Sequence, residues 1–234
     1  MGMKGFTNYN IDAVIKFGGS LLFEESQCRA AIGGLAEANS RGRRLLIMPG
    51  GGPTDKTIEG LDRRHPFQHD THHRACARAQ DQTGLMISDP CFSCSLEPAE
   101  TLEEARRILD RGRVAVLLPS RLIALLDPFE RTWDITSDAM SVWLAWLVSA
   151  RLAIILTDVD GIFAPGHIND SEHLIPAITA SELAQLGQTS VDACTAPFLN
   201  ERYVESWVLN GRHPERMLAV LGGNQTIGTH ITRG

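Results

Sequence analysis

A lysine beside a glycine turn is the first feature of the sequence that could do chemistry. Lys16 stands near the end of a short apolar run, and Gly18, Gly19 and Ser20 follow it. Glycines let backbone N–H groups approach an anion closely, and a helix that starts there adds positive potential, with Ser20 as its cap. The turn therefore suits a phosphate, with the Lys16 ammonium as a mobile point charge beside it. The alternative is an ordinary glycine turn next to a lysine that reaches into solvent.

A second glycine turn follows the next apolar run. Gly50, Gly51 and Gly52 are flanked there by Pro49 and Pro53. In open α/β sheets, ligands bind in the crevice outside the carboxyl ends of the strands, so turns that follow neighbouring parallel strands face the same crevice. The two turns therefore predict that two phosphoryl groups are brought end to end. A purely structural turn is the alternative.

An aspartate at the start of an apolar helix is the third feature. Asp138 falls in the first turn of this helix, which Thr136 or Ser137 can cap. In the functional interpretation, Asp138 orients Lys16 through an ion pair and keeps it charged. In the structural one, it is only an acid stabilised by the helix dipole.

A polar turn after the aliphatic run at residues 152–157 is the fourth feature. It contains Thr157, Asp158 and Gly161. Such a turn can hydrogen-bond nucleotide hydroxyls or hold a magnesium ion through water. Aspartates before a glycine also favour an ordinary turn, which is the alternative.

The composition is typical of a globular protein that buries a sizeable core, with 234 residues of which 43% are hydrophobic and 21% charged. The 22 basic residues against 28 acidic ones give a net charge of -6, which argues against a nucleic-acid partner. The most apolar stretch, residues 142–156, is interrupted by Ser149 and Arg151 and falls short of a membrane span. Five scattered cysteines indicate a reducing compartment. We therefore expect a soluble cytoplasmic protein with neither nucleic acid nor membrane as partner.

Hydrophobic periodicity predicts strands that alternate with helices, as in parallel βαβ construction. The predicted strands are residues 13–17, 44–48, 113–118, 152–157, 206–209 and 226–231. The predicted helices are residues 21–39, 62–89, 101–111, 137–150 and 214–221, and residues 91–98 are predicted to form a loop. One continuous sheet that joins two lobes is the expected architecture.

These four motifs occur in the order and spacing of the amino acid kinase family, which the chain resembles over nearly its whole length. The resemblance implies an α/β fold, a three-layer αβα sandwich with a mainly parallel central sheet. It also implies a single domain of residues 1–234, with an acceptor lobe at about 1–125 and a nucleotide lobe at about 126–234. ATP, Mg²⁺, a small phosphate-bearing acceptor and a homo-oligomer are further implications.

The resemblance assigns roles to the motif residues. The implied catalytic pair is Lys16, which would bridge the transferring phosphoryl group, and Asp138, which would organise the cationic centre. The residues implied to bind ATP are Gly18, Gly19, Ser20, Thr157, Asp158 and Gly161. The residues implied to face the acceptor are Gly50, Gly51 and Gly52. No protein side chain is expected to be a dedicated metal ligand.

Within the family, residues 133–138 and 208–216 most resemble kinases of methanofuran biosynthesis, which convert (5-(aminomethyl)furan-3-yl)methyl phosphate to its diphosphate. This molecule is the expected acceptor. Its phosphate is already anionic at neutral pH, so no general base is required, and catalysis consists mainly of alignment and charge neutralisation. Its ammonium group would need a carboxylate, for which Asp70, Asp81 and Asp89 are the candidates.

The chain departs from the family at one point. Several members place a second lysine shortly before a segment like residues 189–194, whereas no lysine follows Lys56 here. A metal or one of four side chains would have to replace it: Arg202, Arg212, His213 or Arg216. The gap favours a rival hypothesis, a non-catalytic nucleotide-binding regulatory or oxyanion-storage protein on the same fold. A kinase for an amino-acid carboxylate is a third hypothesis, although no motif demands it.

A group of histidines follows the second glycine turn. His65, His69, His72 and His73 could place two imidazoles on one helical face, and Pro66 interrupts their period. The position favours a lid over the acceptor site, with a metal site as the alternative.

Overall fold

The structure is a computed structural model that describes residues 9–126, 132, 135–187 and 189–233. Its described part is built around an eight-stranded sheet. The strands are β1 (Ala13–Phe17), β2 (Leu45–Pro49), β3 (Leu96–Ala99), β4 (Val114–Leu117), β5 (Leu152–Thr157), β6 (Ala177–Thr179), β7 (Ser206–Asn210) and β8 (Thr229–Thr232). They lie in the order β3-β4-β2-β1-β5-β7-β8-β6, and every neighbouring pair is parallel except β7 and β8.

Helices cover both faces of this sheet. They are α1 (Glu25–Ser40), α2 (Gly52–Asp62), α3 (His69–Ile87), α4 (Leu102–Asp110), α5 (Ser120–Leu126), α6 (Ser137–Leu147), α7 (Ala180–Leu186), α8 (Thr195–Glu201) and α9 (Pro214–Leu221). α1 and α9 cover one face through residues such as Ile32 and Met217. α6 and α8 cover the other through residues such as Val142 and Leu199. The predicted three-layer sandwich with a mainly parallel sheet is therefore confirmed.

The side chain of Lys16, on the central strand β1, points toward one of the two helix layers. Side chains alternate along a strand, so Ile15 and Phe17 face one layer while Val14 and Lys16 face the other. Ile15 and Phe17 pack in the cluster with α1, whereas Val14 packs in the cluster that contains Val142 of α6. Lys16 therefore points toward the layer that α6 occupies.

Two helix predictions need correction. Residues 62–89 do not form one helix, because α2 ends at Asp62 and α3 begins at His69. Pro66 lies between them, and a proline inside a helix removes a backbone donor and clashes with the preceding turn. After β1, the chain forms a 3-10 turn at Gly19–Leu22, and α1 begins only at Glu25. Ser20 therefore does not cap a helix, contrary to expectation.

The predicted loop at residues 91–98 is also partly wrong, since β3 begins at Leu96 and pairs with β4. Periodicity missed α2, an eleven-residue helix that begins within the second glycine turn. It also missed four short elements, β6, α5, α7 and α8, each seven residues long or shorter. Such lengths are too short to show a clear period. Among the described residues, no helix is long and apolar enough to cross a bilayer.

Candidate active site

The two glycine turns touch each other at the carboxyl edge of the sheet. They follow the neighbouring parallel strands β1 and β2, and the Gly50 N–H donates to the Phe17 carbonyl oxygen over 2.9 Å. A Cβ atom added to Gly19 would lie 2.4 Å from the Gly52 backbone nitrogen, so any side chain there would push the turns apart. Gly52 has a φ of +61°, which favours glycine. The two turns therefore meet at one crevice, as predicted.

The first turn also presses against β5. A Cβ atom on Gly18 would lie 2.5 Å from the Leu156 carbonyl oxygen, just before the polar turn that starts at Thr157. The first glycine turn therefore contacts the second turn directly. It also contacts β5 one residue before the polar turn.

Lys16 and Asp138 form a buried ion pair beside the turns. The Lys16 Nζ atom lies 2.8 Å from Asp138 Oδ1, and the two side chains are only 11% and 9% exposed. Asp138 lies in the first turn of α6, and the neighbouring Ser137 Oγ would be 3.3 Å from a Cβ atom on Gly50. The pair therefore adjoins the second glycine turn. The predicted pairing of Lys16 with Asp138 is confirmed.

The start of α6 is fixed by its cap and by a buried carboxylate. The Thr136 hydroxyl accepts from the Asp138 N–H over 3.2 Å, so Thr136 is the N-cap. Asp192 Oδ2 accepts from the Thr136 N–H and hydroxyl and from the Ala139 N–H at 2.9, 2.8 and 3.1 Å. Its Oδ1 accepts from the N–H and hydroxyl of Thr195, each at 2.8 Å. Asp192 thus ties α6 to the start of α8 and holds the segment that carries Asp138.

Burial raises the pKa of the Asp192 carboxyl, and the negative charge of Asp138 adds to this shift, although the hydrogen bonds oppose it. From sequence, residues 189–194 bear only on the missing lysine, and no role is predicted for Asp192. Its partners lie 53 and 56 positions away along the chain, except for Thr195, so they leave no local pattern.

The turn after β5 is held by a second ion pair. Asp160 Oδ1 accepts from Arg216 Nη1 over 2.6 Å and from Asn210 Nδ2 over 2.8 Å. Burial disfavours the Asp160 carboxylate, but these two donors and the positive charge of Arg216 outweigh it, and the net pKa is lowered. A Cβ atom on Gly161 would lie 2.6 Å from Thr229 Oγ1, so β8 packs directly on this glycine. Residues of β7, α9 and β8 therefore fix the turn.

Thr157 and Asp158 lie where β5 ends at the crevice. The Thr157 hydroxyl is 3.3 Å from Asp158 Oδ1, and Arg212 Nη2 is 3.9 Å from Asp158 Oδ2. The Asp158 side chain is 41% exposed, so its carboxylate is open to solvent. Mg²⁺ is usually held by one or two carboxylates together with substrate phosphates and water. This end of β5 therefore fits a magnesium ion bound with a nucleotide.

Two of the four candidates for the second cation reach this turn. Arg216 is buried against Asp160, and Arg212 approaches Asp158. Arg202 instead lies over aromatic rings of α6 and α8. His213 lies 3.4 Å from a carboxylate oxygen of Glu215 in α9.

A small pocket opens beside the second glycine turn, between α2, α3 and the start of α6. Its volume is about 50 Å³, and Ser137 is part of its wall. Two members of the histidine group, His72 and His73, line it, whereas His65 and His69 do not. Burial lowers the pKa of His72, which favours its neutral form. Half of the histidine group therefore lies on the side expected for the acceptor.

Three further polar residues near this turn escaped notice in the sequence. Asp55 and Gln80 line the pocket. Thr83 is fully buried in α3, and its hydroxyl would be 3.1 Å from a Cβ atom on Gly52. α3 has a weakly patterned sequence, so nothing local distinguishes these side chains from ordinary helix residues.

The aspartates considered for the acceptor's ammonium group lie elsewhere. Both oxygens of the Asp81 carboxylate accept hydrogen bonds from Ser120, Oδ1 from its N–H and Oδ2 from its hydroxyl. Asp89 accepts a hydrogen bond from the following turn, and that bond lowers the pKa of its carboxyl. Asp70 pairs with an arginine on its own helix. None of the three lines the pocket beside the second turn, where Asp55 is the carboxylate among the described lining residues.

The described part of the chain contains one cluster of side chains that could hold a metal ion. The cluster lies on the loop that follows the turn after β5. Its members are His167, Asp170 and His173, whose donor atoms lie within 4.8 Å of one another. His173 Nδ1 is 2.8 Å from Asp170 Oδ2. Within the described ranges, the histidines of residues 65–73 form no such cluster.

These features define an α/β sandwich with a crevice where two glycine turns meet beside a buried ion pair, and comparison with known proteins identifies the family. The model of the amino acid kinase family matches residues 13–201. The [5-(aminomethyl)furan-3-yl]methyl phosphate kinase of Methanocaldococcus jannaschii is 30% identical over 220 residues, which cover 93% of this chain and 96% of the relative. The uridylate kinase of Natronomonas pharaonis is 24% identical, with 93% of this chain and 97% of the relative covered.

A solved structure agrees on the fold. The crystal structure of uridylate kinase from Archaeoglobus fulgidus matches with a TM-score of 0.74 at 18% identity, covering 95% of this chain and 100% of that one. The chain therefore belongs to the amino acid kinase family. It is an ATP-dependent kinase.

The expected fold and the kinase class are thus confirmed, whereas the individual roles of the motif residues stay predictions. Ser20 lies in the 3-10 turn beside Gly19, where it can still approach a phosphate. Trp133 and Asp134, the first two residues of the motif that ends at Asp138, lie outside the described residues.

Proposed function

We propose that the chain transfers the γ-phosphoryl group of ATP to the phosphate of a small acceptor, and that the acceptor is (5-(aminomethyl)furan-3-yl)methyl phosphate. The observation that carries this proposal is the contact between two glycine turns beside the Lys16–Asp138 ion pair. The relative in Methanocaldococcus jannaschii, whose name specifies this acceptor, supports the choice because the alignment spans nearly both chains.

The glycine turns bind and align the two phosphate groups. Backbone N–H groups of Gly18, Gly19 and Ser20 would bind the phosphates of ATP, while the second turn at residues 50–52 would bind the acceptor phosphate. Phosphoryl transfer has a loose transition state with charge spread over three equatorial oxygens, so alignment and charge neutralisation supply most of the catalysis. Because the turns are already in contact, they would bring donor and acceptor end to end.

Lys16 reduces the repulsion between the two anionic reactants. Its ammonium lies beside the crevice and would bridge the phosphoryl group in transit. Asp138 holds that ammonium at 2.8 Å and keeps it from swinging away. The acceptor phosphate is itself ionised at neutral pH, so no side chain has to remove a proton from it.

The nucleotide side is formed by the turn after β5. Thr157, Asp158 and Gly161 would line the nucleotide, and Arg212 stands close enough to Asp158 to face the same phosphates. Mg²⁺, when bound, neutralises charge on the phosphates, and the open carboxylate of Asp158 would help to hold it through water rather than as a dedicated ligand.

The same proposal covers the organisation of the chain. The acceptor pocket lies between α2 and α3 of residues 1–125 and the start of α6 in residues 126–234, and the turn after β5 lies in 126–234. We propose an acceptor lobe and a nucleotide lobe within one domain that meet at this pocket. None of the five cysteines, all within the described residues, forms a disulfide, in keeping with a cytoplasmic location. A homo-oligomer is predicted by the family resemblance, and light scattering during size-exclusion chromatography would measure it.

The acceptor is tested by direct competition among substrates. Purified protein would be given ATP and Mg²⁺ with the aminomethylfuran phosphate, uridylate or isopentenyl phosphate, and ADP release would be followed. The furan phosphate should be turned over fastest, with ³¹P NMR showing a new diphosphate. Faster turnover of either other acceptor would overturn the assignment. ATP binding without transfer to any of them, unchanged in Lys16→Ala, would instead support a non-catalytic nucleotide-binding protein.

A further inference from the structure

The pocket beside the second glycine turn contains two buried oxygens that accept no hydrogen bond. They are Oδ1 of Asp55 and Oε1 of Gln80, and neither has a donor among the residues the structure describes. Gln80 is only 4% exposed, and both side chains line the same pocket. A buried acceptor without a donor is destabilising, and native proteins rarely keep one without a reason. Two of them in one pocket indicate a ligand that brings the donors.

The charge of the pocket indicates what kind of donor fits. Among the described residues of its lining there is no lysine or arginine, and Asp55 is the one carboxylate. The other titratable side chains in the described part of the lining are His72, His73 and Cys76. Of these, Cys76 hydrogen-bonds to the Asp55 carboxylate. Burial raises the pKa of the Cys76 thiol and lowers that of His72, so both are favoured in their neutral forms. An ammonium group has three donors and no acceptor, so it complements this wall.

The pocket adjoins the place where the acceptor phosphate is proposed to bind. Asp55 lies in the first turn of α2, and a Cβ atom on Gly51 would be 2.6 Å from Asp55 Oδ2. At the other side, Ser137 lines the pocket and also packs on Gly50. The volume of about 50 Å³ holds a group of a few heavy atoms. A small acceptor with a phosphate at one end would therefore place its other end here.

We infer that Asp55 and Gln80 together bind a primary ammonium group of the acceptor and so select aminated acceptors over neutral ones. The inference rests on the proposed function, because it takes the second turn as the acceptor phosphate site. Burial raises the pKa of Asp55, with a Cys76 hydrogen bond opposing the shift, and a bound ammonium would favour the ionised carboxylate. Neither residue takes part in the transfer itself, so both act on acceptor binding.

Two variants separate this role from a structural one. Asp55→Asn keeps the shape and removes the charge, and Gln80→Met keeps the length and removes the unpaired oxygen. Asp110→Asn is the matched control, because Asp110 lies at the end of α4 outside the pocket and its side chain is 61% exposed. Each protein would be assayed with the aminomethylfuran phosphate and with its methyl analogue, which has the same phosphate and no amine.

For the aminated acceptor, Asp55→Asn should raise KM about 10- to 100-fold, the range expected for a hydrogen bond to a charged group. KM for ATP and for the methyl analogue should stay unchanged. Gln80→Met should show a smaller rise with the same selectivity. In the absence of ligand it should also melt no lower than the wild type, because a buried unpaired oxygen has been removed. Asp110→Asn should behave as the wild type with both acceptors.

The outcomes distinguish the inference from the proposed function. If the wild type turns over the aminated acceptor and Asp55→Asn keeps the full preference for it, the inference is wrong and the function stands. Equal losses with the aminated and methyl acceptors would also overturn it, since they would show a general defect of the site. A wild type that uses only an acceptor without an amine would overturn the proposed acceptor and the inference with it.

Discussion

Replacing Lys16 by methionine separates the contribution of this lysine to catalysis from its contribution to folding. Methionine retains much of the length of the side chain and removes its charge. Lys16 and Asp138 are 11% and 9% exposed, so the substitution leaves a carboxylate buried without its partner. We expect losses of both activity and stability, and they can be measured independently.

The two losses have different sizes. Removing one preorganised electrostatic contact to a transition state costs about 2.7–4 kcal/mol, so kcat should fall about 10²- to 10³-fold. Breaking a buried ion pair by removing one partner costs about 3–5 kcal/mol of unfolding free energy. For a chain of this size, each kcal/mol shifts Tm by about 2–4 °C, so Tm should fall by about 6–20 °C.

Two further variants provide the controls. Lys16→Met combined with Asp138→Asn no longer buries a lone charge, so Tm should recover much of the loss while kcat stays low. Lys56→Met removes an exposed lysine whose ion pair with Glu59 lies on the surface, and it should change neither quantity appreciably. The assays are ADP release at saturating ATP and thermal melting by circular dichroism. If the double variant regains activity together with stability, Lys16 serves only the fold and the proposed role is refuted.

Three further predictions address the parts that hold the crevice. Gly19→Ala should raise KM for both substrates, because its Cβ atom would lie 2.4 Å from the second glycine turn. Gly33→Ala is the control, since a Cβ atom there meets nothing within 4 Å, and it should leave both KM values unchanged. Equal KM values for the two variants in steady-state kinetics would contradict the role of the contact between the turns. Asp192→Ala should lower Tm and kcat together, since the cap of α6 loses its acceptor, and unchanged kcat would show that Asp138 is positioned by other contacts. The lowered pKa of Asp160 means that its ionised form stabilises the fold above the unfolded pKa of about 3.9, and this contribution is lost as pH falls through the lower folded value. Urea unfolding of Asp160→Asn should therefore show a stability deficit near pH 6 that shrinks toward pH 3, and a deficit independent of pH would refute this assignment.

The parts of the site that could be predicted from sequence are those encoded locally. An aliphatic run followed by glycines places a turn at the end of a buried strand, and the resemblance to the family connects Lys16 with Asp138 across 122 positions of sequence. Where a local pattern fits more than one structure, the predicted element was wrong. The glycine turn before α1 suggested an immediate helix, but Gly19–Leu22 forms a 3-10 turn first.

The supporting residues could not be found in this way, because their partners are set by packing. Asp192 binds the start of α6, Asn210 binds the turn after β5, and Asp55 and Gln80 meet across two helices. Each pairing depends on the exact approach of elements that are distant in sequence. Polar side chains of this kind look like surface residues until tertiary structure shows that they are buried.

Among the described residues around the crevice, the positive and negative charges are nearly balanced. Lys16 is paired with Asp138, Arg216 with Asp160, and Arg212 approaches Asp158. In the proposed function, Lys16 and Arg212 share their charge between these carboxylates and the phosphates, and backbone N–H groups of the glycine turns together with cations that arrive with the substrates would supply the rest. Mg²⁺ bound with ATP is one such cation. An acceptor that carries its own ammonium group cancels part of its phosphate charge, so it would approach a bound nucleotide with less repulsion than a purely anionic acceptor such as uridylate.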